Sequence, residues 1–479
     1  MLKKKDFVKS LKALGLKKDD VVLLHSSVNA LGPIEGGAEM VIDGFMEVLG
    51  QGGALIVPVF GKLGVITEII RERKDAVVSN APVGTLAGIG KKAKELLANH
   101  WDAETAHGEG SPFLKIANAG GYVCLLGVDQ DRNTMLHSVE ALLKLPYLCE
   151  TTRTCKNPQG KEVTRTWKYY PGPHRNFIGL DSLFASEGIM AVQRIGNAQV
   201  RLIDAKAMID LAMEEGANDP AFVLCDNPSC ADCVMQRAKI FSAWIASESF
   251  ILAASSKLCG RYVPEMIENL KNAGISNVEL DFVQGEACAY FKAERLKAVV
   301  DEFAAAGIAV VGLRSFVAPE DAAAFADKCV AAGIKRVLLP LHSNNDALAA
   351  LTKKKIAVEF FNESMGSAEA AALYKEKAAK KAHGFVMSPA SFVLAGEHPF
   401  LTSWRKGRFM KVISQLDVAD CTWDSEMTVL AGGNAEIKEL ISILRCHNFS
   451  GYMTLGGGVC FDGDLMDVRD NFTCLIQEM

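Results

Sequence analysis

Hydrophobic positions in the first half of the chain fall into short unbroken runs separated by helical patterns: VVLLHSS at 21 to 27, ALIVPVF at 54 to 60 and YVCLLG at 122 to 127. Runs of this length, bounded by glycine, serine or proline, predict buried strands. Between the first two lies AEMVIDGFMEVLG, where Val41, Phe45, Val48 and Leu49 form one stripe of an amphipathic helix. The opening MLKKKDFVKSLKALGL repeats Leu2, Phe7, Leu11 and Leu14 at helical spacing. The rhythm is α/β, though irregular. Around 151 to 172 it gives way to TTRTCKNPQGKEVTRTWKYY, where Asn157, Pro158, Gln159 and Gly160 supply a turn between two threonine- and aromatic-rich segments. That pattern predicts a β-hairpin.

From about residue 246 a strand followed by a helix recurs, as a (β/α)8 barrel requires. The predicted strands are FILAASS, NVELDF, AVVGLRSF, RVLLPL, IAVEFFN, GFVMSP, MKVISQLD and GYMTLGG, starting at 250, 277, 309, 336, 356, 384, 410 and 451. Helices between them end in glycine, as in KNAGI and AAAGI, consistent with a left-handed cap before each strand. A boundary falls between 225 and 246, where CDNPSCADC interrupts the pattern. The fold class is therefore α/β: an N-terminal α/β domain over 1–235 and a (β/α)8 TIM barrel over 246–479.

Composition narrows the function classes. The 479 residues are 49% hydrophobic and 23% charged, the balance of a folded globular protein. With a net charge of −5 and no basic block beyond Lys3 to Lys5, the chain has no electrostatic footprint for nucleic acid. No segment approaches a membrane-spanning length of apolar residues, and the N-terminus carries no cleavage signal, so a cytoplasmic protein is expected. Thirteen cysteines scattered through such a chain predict reduced thiols and no disulfide framework.

The densest candidate chemistry is GVDQDRNTMLHSVE at 127 to 140. It follows the strand YVCLLG, and the helix it opens begins near Asn133 or Thr134, which puts His137 in the first turn. The positive end of a helix dipole favours the neutral ring, the form able to accept a proton. Glu140 lies three residues on, on the same face, as a candidate orienter. On spacing alone the two also fit a solvated polar face opposite Leu136, Val139 and Leu143. At 25 to 37, HSSVNALGPIEGG joins a strand to a helix, so His25, Ser26, Ser27, Gly36 and Gly37 are candidates for holding a phosphate, with an ordinary capped loop as the alternative. Cys225, Cys230 and Cys233 form a C-x4-C-x2-C cluster that would need a fourth ligand, such as Cys149, Cys155 or a histidine, to hold zinc; buried thiols explain it equally and no metal is assigned.

The order HSS, a glycine pair opening a helix, LGQGGALIVPVF, HGEGSP at 107 to 112 and NTMLHSVE resembles the aminoglycoside 3-N-acetyltransferases over roughly residues 5 to 225. The resemblance implies acetyl-coenzyme A as donor and an amine as acceptor, with the donor near His25 to Ser27 and Gly36 to Gly37. It matches His137 to the family's catalytic histidine, and leaves Thr134 or a backbone N–H to stabilise the oxyanion. The chain departs from the family pattern at Asp129 and Gln130, where a glycine and a histidine are usual. It also runs straight from PVGTL through AGIGKKAKELLANH, where the family has a loop with arginine, serine and histidine beside the donor. The expected function is acetyl transfer to an amine of an aminoglycoside or similar amino sugar, an antibiotic not being the necessary acceptor.

The second half is similar to the xylose-isomerase-like isomerases and epimerases, whose metal-dependent members bind a divalent ion at the strand ends. Glu359 fits the first such ligand. Ser388 and Ser391 stand where an aspartate and a histidine are expected, however, and Gly456, Gly457 and Gly458 replace a glutamate. A metal-free barrel is expected, with Glu279, Arg314, His342 and Asp417 as a solvated rim able to bind a polar ligand. Isomerisation in the barrel, or ligand binding without catalysis, are the alternative functions.

Overall fold

The unbroken apolar runs become the central strands of a mixed sheet. The computed structural model describes the whole chain except residues 62, 172–174, 364 and 459–462, and the side chain of residue 406. It divides into two units, Met1–Ile240 and Phe241–Met479. The first contains, in order, α1 (Lys4–Ala13), β1 (Val21–Ser26), α2 (Gly37–Leu49), β2 (Ala54–Pro58), α3 (Val65–Glu72), β3 (Val77–Val78), β4 (Leu86–Ile89), α4 (Ala93–Leu97) and α5 (Pro112–Asn118). There follow β5 (Tyr122–Leu126), α6 (His137–Leu142), β6 (Cys149–Lys156), β7 (Glu162–Tyr169), α7 (Leu180–Ser186), β8 (Met190–Ile195), β9 (Ala198–Asp204), α8 (Ala205–Asn218) and α9 (Ala231–Ile245).

The sheet runs β3-β4-β2-β1-β5-β9-β8. Parallel pairing joins only β1 to β2 and β5, and β4, β3, β9 and β8 are added through antiparallel pairing, which is why the βα rhythm of the sequence is irregular. The parallel strands are covered on both faces, so alternate residues serve different cores. Val22, Leu24, Leu55, Val57, Cys124 and Leu126 meet Phe7, Phe45 and Leu49 of α1 and α2. Val21, Leu23, Ile56, Val123 and Leu125 meet Phe113, Leu136, Val139 and Phe184 on the other side. The predicted hairpin is β6 and β7, a separate two-stranded sheet in register from Cys149↔Tyr169 to Lys156↔Glu162.

In the second unit all eight predicted strands form, and they close in sequence order into a parallel barrel: Ile251–Ser255, Asn277–Leu280, Ala309–Arg314, Arg336–Pro340, Ala357–Phe361, Gly384–Met387, Ile413–Val418 and Tyr452–Leu455. The first pairs with the last through Ala253↔Thr454. The helix ending at KNAGI is capped by Gly274 at a φ of 71°, as its sequence predicts.

The barrel interior corrects the expected rim. Glu279, Arg314 and Asp417 are not solvated; each is at 0% exposure. Arg314 donates through Nε to Glu279 Oε1 at 2.6 Å and to both Asp417 oxygens at 2.6 and 3.1 Å. Arg336 donates to Glu359 at 2.5 Å and to Gln415 Oε1 at 2.6 Å, and Gln415 donates to Asp417 at 2.8 Å. Glu279 joins the halves, its second oxygen lying 3.7 Å from Arg336. Burial opposes the charge on Arg314, but Asp417 and Glu279 more than offset it and hold the proton more tightly than usual. Glu359 is thus an arginine partner, and the donor set does not fit a divalent ion, whose carboxylates must turn to the cation. His342 alone of the expected group stays on the exterior, half exposed and 2.7 Å from Glu363. The glycines after the last strand have a steric cause: a Cβ on Gly458 would lie 2.4 Å from Asp417 Oδ2 and 2.6 Å from Ser388 Oγ.

Removing Asp417 leaves a buried guanidinium short of its strongest partner. Asp417→Ala is expected to destabilise the barrel by about 3–5 kcal/mol, read as a fall in the urea midpoint of its unfolding transition in the full-length chain. A change within experimental error would mean that the network is not closed as described.

Candidate functional site

Parallel strands present their carboxyl ends on one edge, and the loops leaving that edge enclose a cavity of about 900 Å³ in the N-terminal unit. His25 and Ser26 reach it from the end of β1, Pro58 to Phe60 from the end of β2, and Val128, Asp131, Arg132 and Thr134 from the segment after β5. Gly84 and Thr85 precede β4, His107 precedes α5, His137 opens α6, and Arg153, Tyr169 and Tyr170 come from the hairpin. Ser27, Gly36 and Gly37, expected beside a phosphate, are not among the lining residues. Gly36 and Gly37 take φ of 83° and 64°, so the pair is accounted for by the left-handed turn into α2.

A 3-10 turn over Thr134–Leu136 precedes α6, which starts at His137, a few residues after the predicted start near Asn133 or Thr134, and the solvated-face alternative fails. Glu140 is 0% exposed and the side chain of His137 only 13%. His137 Nδ1 lies 2.5 Å from Glu140 Oε2. The other carboxylate oxygen accepts from Arg175 Nε at 2.6 Å and from the Tyr147 hydroxyl at 2.9 Å. Burial alone would raise the Glu140 carboxyl, yet His137 and Arg175 together hold it below the usual carboxylate range. An ionised Glu140 accepts at Nδ1–H, which leaves Nε2 of His137 as the basic nitrogen. Arg175 also lies over the Tyr147 ring at 5.0 Å, so the carboxylate is gripped from two directions.

A polar chain behind the cavity, not foreseen from the sequence, fixes the approach to α6. Arg201 of β9 donates to Asp181 at 2.7 Å and to the Val128 carbonyl at 3.1 Å. Asp181 accepts from Gln130 at 3.0 Å, Gln130 accepts from Asn133 at 2.9 Å, and the Asn133 side chain caps the N–H of Met135. Gln130 and Asn133 are fully buried, so the departure from the family pattern at Gln130 sits inside this chain of bonds.

His107 is the second residue that the sequence reading passed over, although its motif HGEGSP was noted. Its ring lies 5.3 Å from that of His137 and 4.6 Å from Phe113. Burial first, then the neighbouring His137 and His100, push its pKa far below the ordinary histidine range, so it stays neutral. His100 explains where it sits: Nε2 bonds the Ala106 carbonyl at 2.9 Å and Nδ1 meets Ser79 Oγ at 3.1 Å, tying the 105–107 segment to the end of β3. The Ala106 N–H donates to Lys168 of β7, so the same segment docks the hairpin. His25 is pushed down to about 3 by burial. Around the cavity, His25 Nε2, both nitrogens of His107 and Thr134 Oγ1 have no hydrogen-bond partner among the described residues. Buried polar atoms without partners on a cavity wall suit a polar ligand. Among the described residues, the charged lining includes Arg132, Arg153 and Asp131, the last pushed up to about 6 by its hydrogen bond with Asp129 and then by burial.

Comparison with known proteins follows the same residues. The aminoglycoside 3-N-acetyltransferase family model matches residues 23–63 and 60–215. The chain is 28% identical over 248 residues to the SPbeta prophage-derived aminoglycoside N(3')-acetyltransferase-like protein of Bacillus subtilis (strain 168), spanning 44% of this chain and 90% of that one. It is 26% identical over 240 residues to aminoglycoside N(3)-acetyltransferase IV of Salmonella sp, spanning 46% and 90%. Among solved structures, a crystal structure of an aminoglycoside acetyltransferase apoenzyme matches at 25% identity and a TM-score of 0.45, over 50% of this chain and 98% of the other. The family match ends at residue 215, before the barrel begins. The N-terminal part of the chain, about 45% of its length, is an aminoglycoside 3-N-acetyltransferase-like domain.

Proposed function

We propose that the N-terminal domain moves an acetyl group from acetyl-coenzyme A to an amine of an aminoglycoside or other amino-sugar-like metabolite. The observation that carries this reading is the pairing of His137 with a buried, ionised Glu140 on the wall of the cavity. An ammonium is no nucleophile and must first lose one proton to solvent; a base then takes a second proton from the nitrogen as the amine attacks a carbonyl. His137 Nε2 is that base; Glu140 holds the ring in the right tautomer and stabilises the imidazolium that forms. The imidazolium then returns the proton to the departing thiolate, so the ring ends as it began. Thr134 Oγ1, which has no hydrogen-bond partner among the described residues, donates to the carbonyl oxygen as negative charge builds there.

Acetyl-coenzyme A supplies the activated thioester, and the residues present fit it in kind. Arg132 and Arg153 give the cavity two cations for phosphate groups, and His25, Ser26 and Thr134 give it polar atoms. The resemblance places donor contacts at Ser27, Gly36 and Gly37 as well; the geometry favours the arginines over the glycine pair. No helix among the described residues is long and apolar enough to cross a membrane, and the acceptor is a small polar molecule.

His137→Ala and His137→Asn should each lower acetyl transfer by at least about 100-fold, followed as thiol release with a panel of amines. Full turnover by either variant would remove His137 from the mechanism. Arg153→Ala should weaken coenzyme A binding about tenfold in calorimetry, the worth of one charge-assisted contact. Affinity equal to wild type would place the phosphates elsewhere.

Glu140→Gln tests the pair through stability as well as rate. Because the folded-state pKa of Glu140 is depressed, its contribution is fully present above the usual carboxylate range and is lost as pH falls through the folded value. The variant should therefore melt below wild type at neutral pH, by about 3 kcal/mol, and the gap should narrow under acid conditions. A gap that does not change with pH would argue against an ionised Glu140.

A further inference from the structure

We infer that Cys225, Cys230 and Cys233 bind one zinc ion in the N-terminal unit. Their Sγ atoms all lie within 4.8 Å of one another. Zinc thiolate bonds of about 2.3 Å in a tetrahedron set sulfurs about 3.8 Å apart, so one ion fits among these three with a small inward adjustment. The thiolates of an iron–sulfur cubane are spread around a much larger body, which this spacing does not accommodate. Soft thiolates select zinc over magnesium, calcium or manganese.

The local structure gathers the thiols. Cys225 ends the stretch in which Val223 and Leu224 enter the core, Cys230 immediately precedes α9, and Cys233 lies in its first turn, fully buried. Asn227 makes the intervening turn, its carbonyl accepting from the Cys230 N–H at 3.0 Å and its side chain from the Ser229 N–H at 3.0 Å. The Cys225 N–H donates to Cys233 Sγ at 3.4 Å, the kind of bond that stabilises negative charge on a metal-bound sulfur. Arg237, one turn along α9, donates to the Cys225 carbonyl at 3.3 Å and to Asp226 at 3.1 Å, bringing a cation to a site whose three thiolates outweigh the ion's charge. Cys149 and Cys155, expected as possible fourth ligands, do not join the group, nor does any other histidine, cysteine or carboxylate among the described residues. The fourth position belongs to water or to a ligand outside that set. Such a site staples the loop after α8 to the start of α9, a structural role independent of the transferase chemistry.

Metal analysis of the full-length chain, purified without added metal or chelator, should find about one zinc per chain. Cys230→Ser and Cys233→Ser should each lose it, while Cys155→Ser on the hairpin should retain it. Cobalt exchanged into the wild type should show thiolate-to-cobalt charge transfer and the strong ligand-field bands of a tetrahedral site, both absent from Cys230→Ser. Iron in place of zinc, no stoichiometric metal, or an intact mass showing two of the three cysteines joined as a disulfide would each overturn the assignment. The same holds if Cys155→Ser strips the metal as completely as Cys230→Ser.

Discussion

The buried carboxylate of Glu140 is the interaction on which the N-terminal unit turns. An ionised group taken out of water has to be repaid by fixed partners, and here three are supplied from three places in the chain: His137 from the same helix, Tyr147 from the segment leading into the hairpin, and Arg175 from beyond it. Satisfying Glu140 therefore assembles one side of the cavity. It also settles the orientation of His137, because the ring cannot rotate without leaving the carboxylate short of a donor.

The remaining walls follow from the sheet. Parallel β1, β2 and β5 deliver their loops to one edge, and the antiparallel β4 begins at that edge, so residues far apart in sequence meet there without any of the loops being long. The 105–107 segment is held both by His100 and by β7, which places the neutral His107 beside His137. The neutral His107 adds no positive charge to this part of the wall. The cations Arg132 and Arg153 belong to the same cavity's lining.

Much of this was legible in the chain. The eight barrel strands, the hairpin and the position of His137 at a helix start followed from apolar runs, turn residues and a helix-capping pattern, all of which are local. What was not legible depends on long-range pairing. β3, β8 and β9 are partly exposed and carry no strong apolar run, and their place in the sheet is decided by the strands they join. The polar chain from Arg201 to Asn133 spans about seventy residues of sequence, and no spacing rule links its members. Glu279, Arg314 and Asp417 were placed correctly at strand positions but on the wrong side, because a charged residue in a strand gives no sign of whether it faces water or an opposite charge across a barrel. Gly36 and Gly37 show a related ambiguity: a glycine pair before a helix has the same appearance whether it serves a phosphate or a turn.

The arginines inside the barrel have a further consequence. The buried carboxylates Glu279, Glu359 and Asp417 face guanidinium groups bonded covalently to the same backbone. Such an internal counter-ion cannot be stripped by a chelator, exchanged for a competing ion or discharged at any pH at which the protein remains folded. The cationic partners of the buried carboxylates are thus written into the sequence and owe nothing to the composition of the surrounding medium.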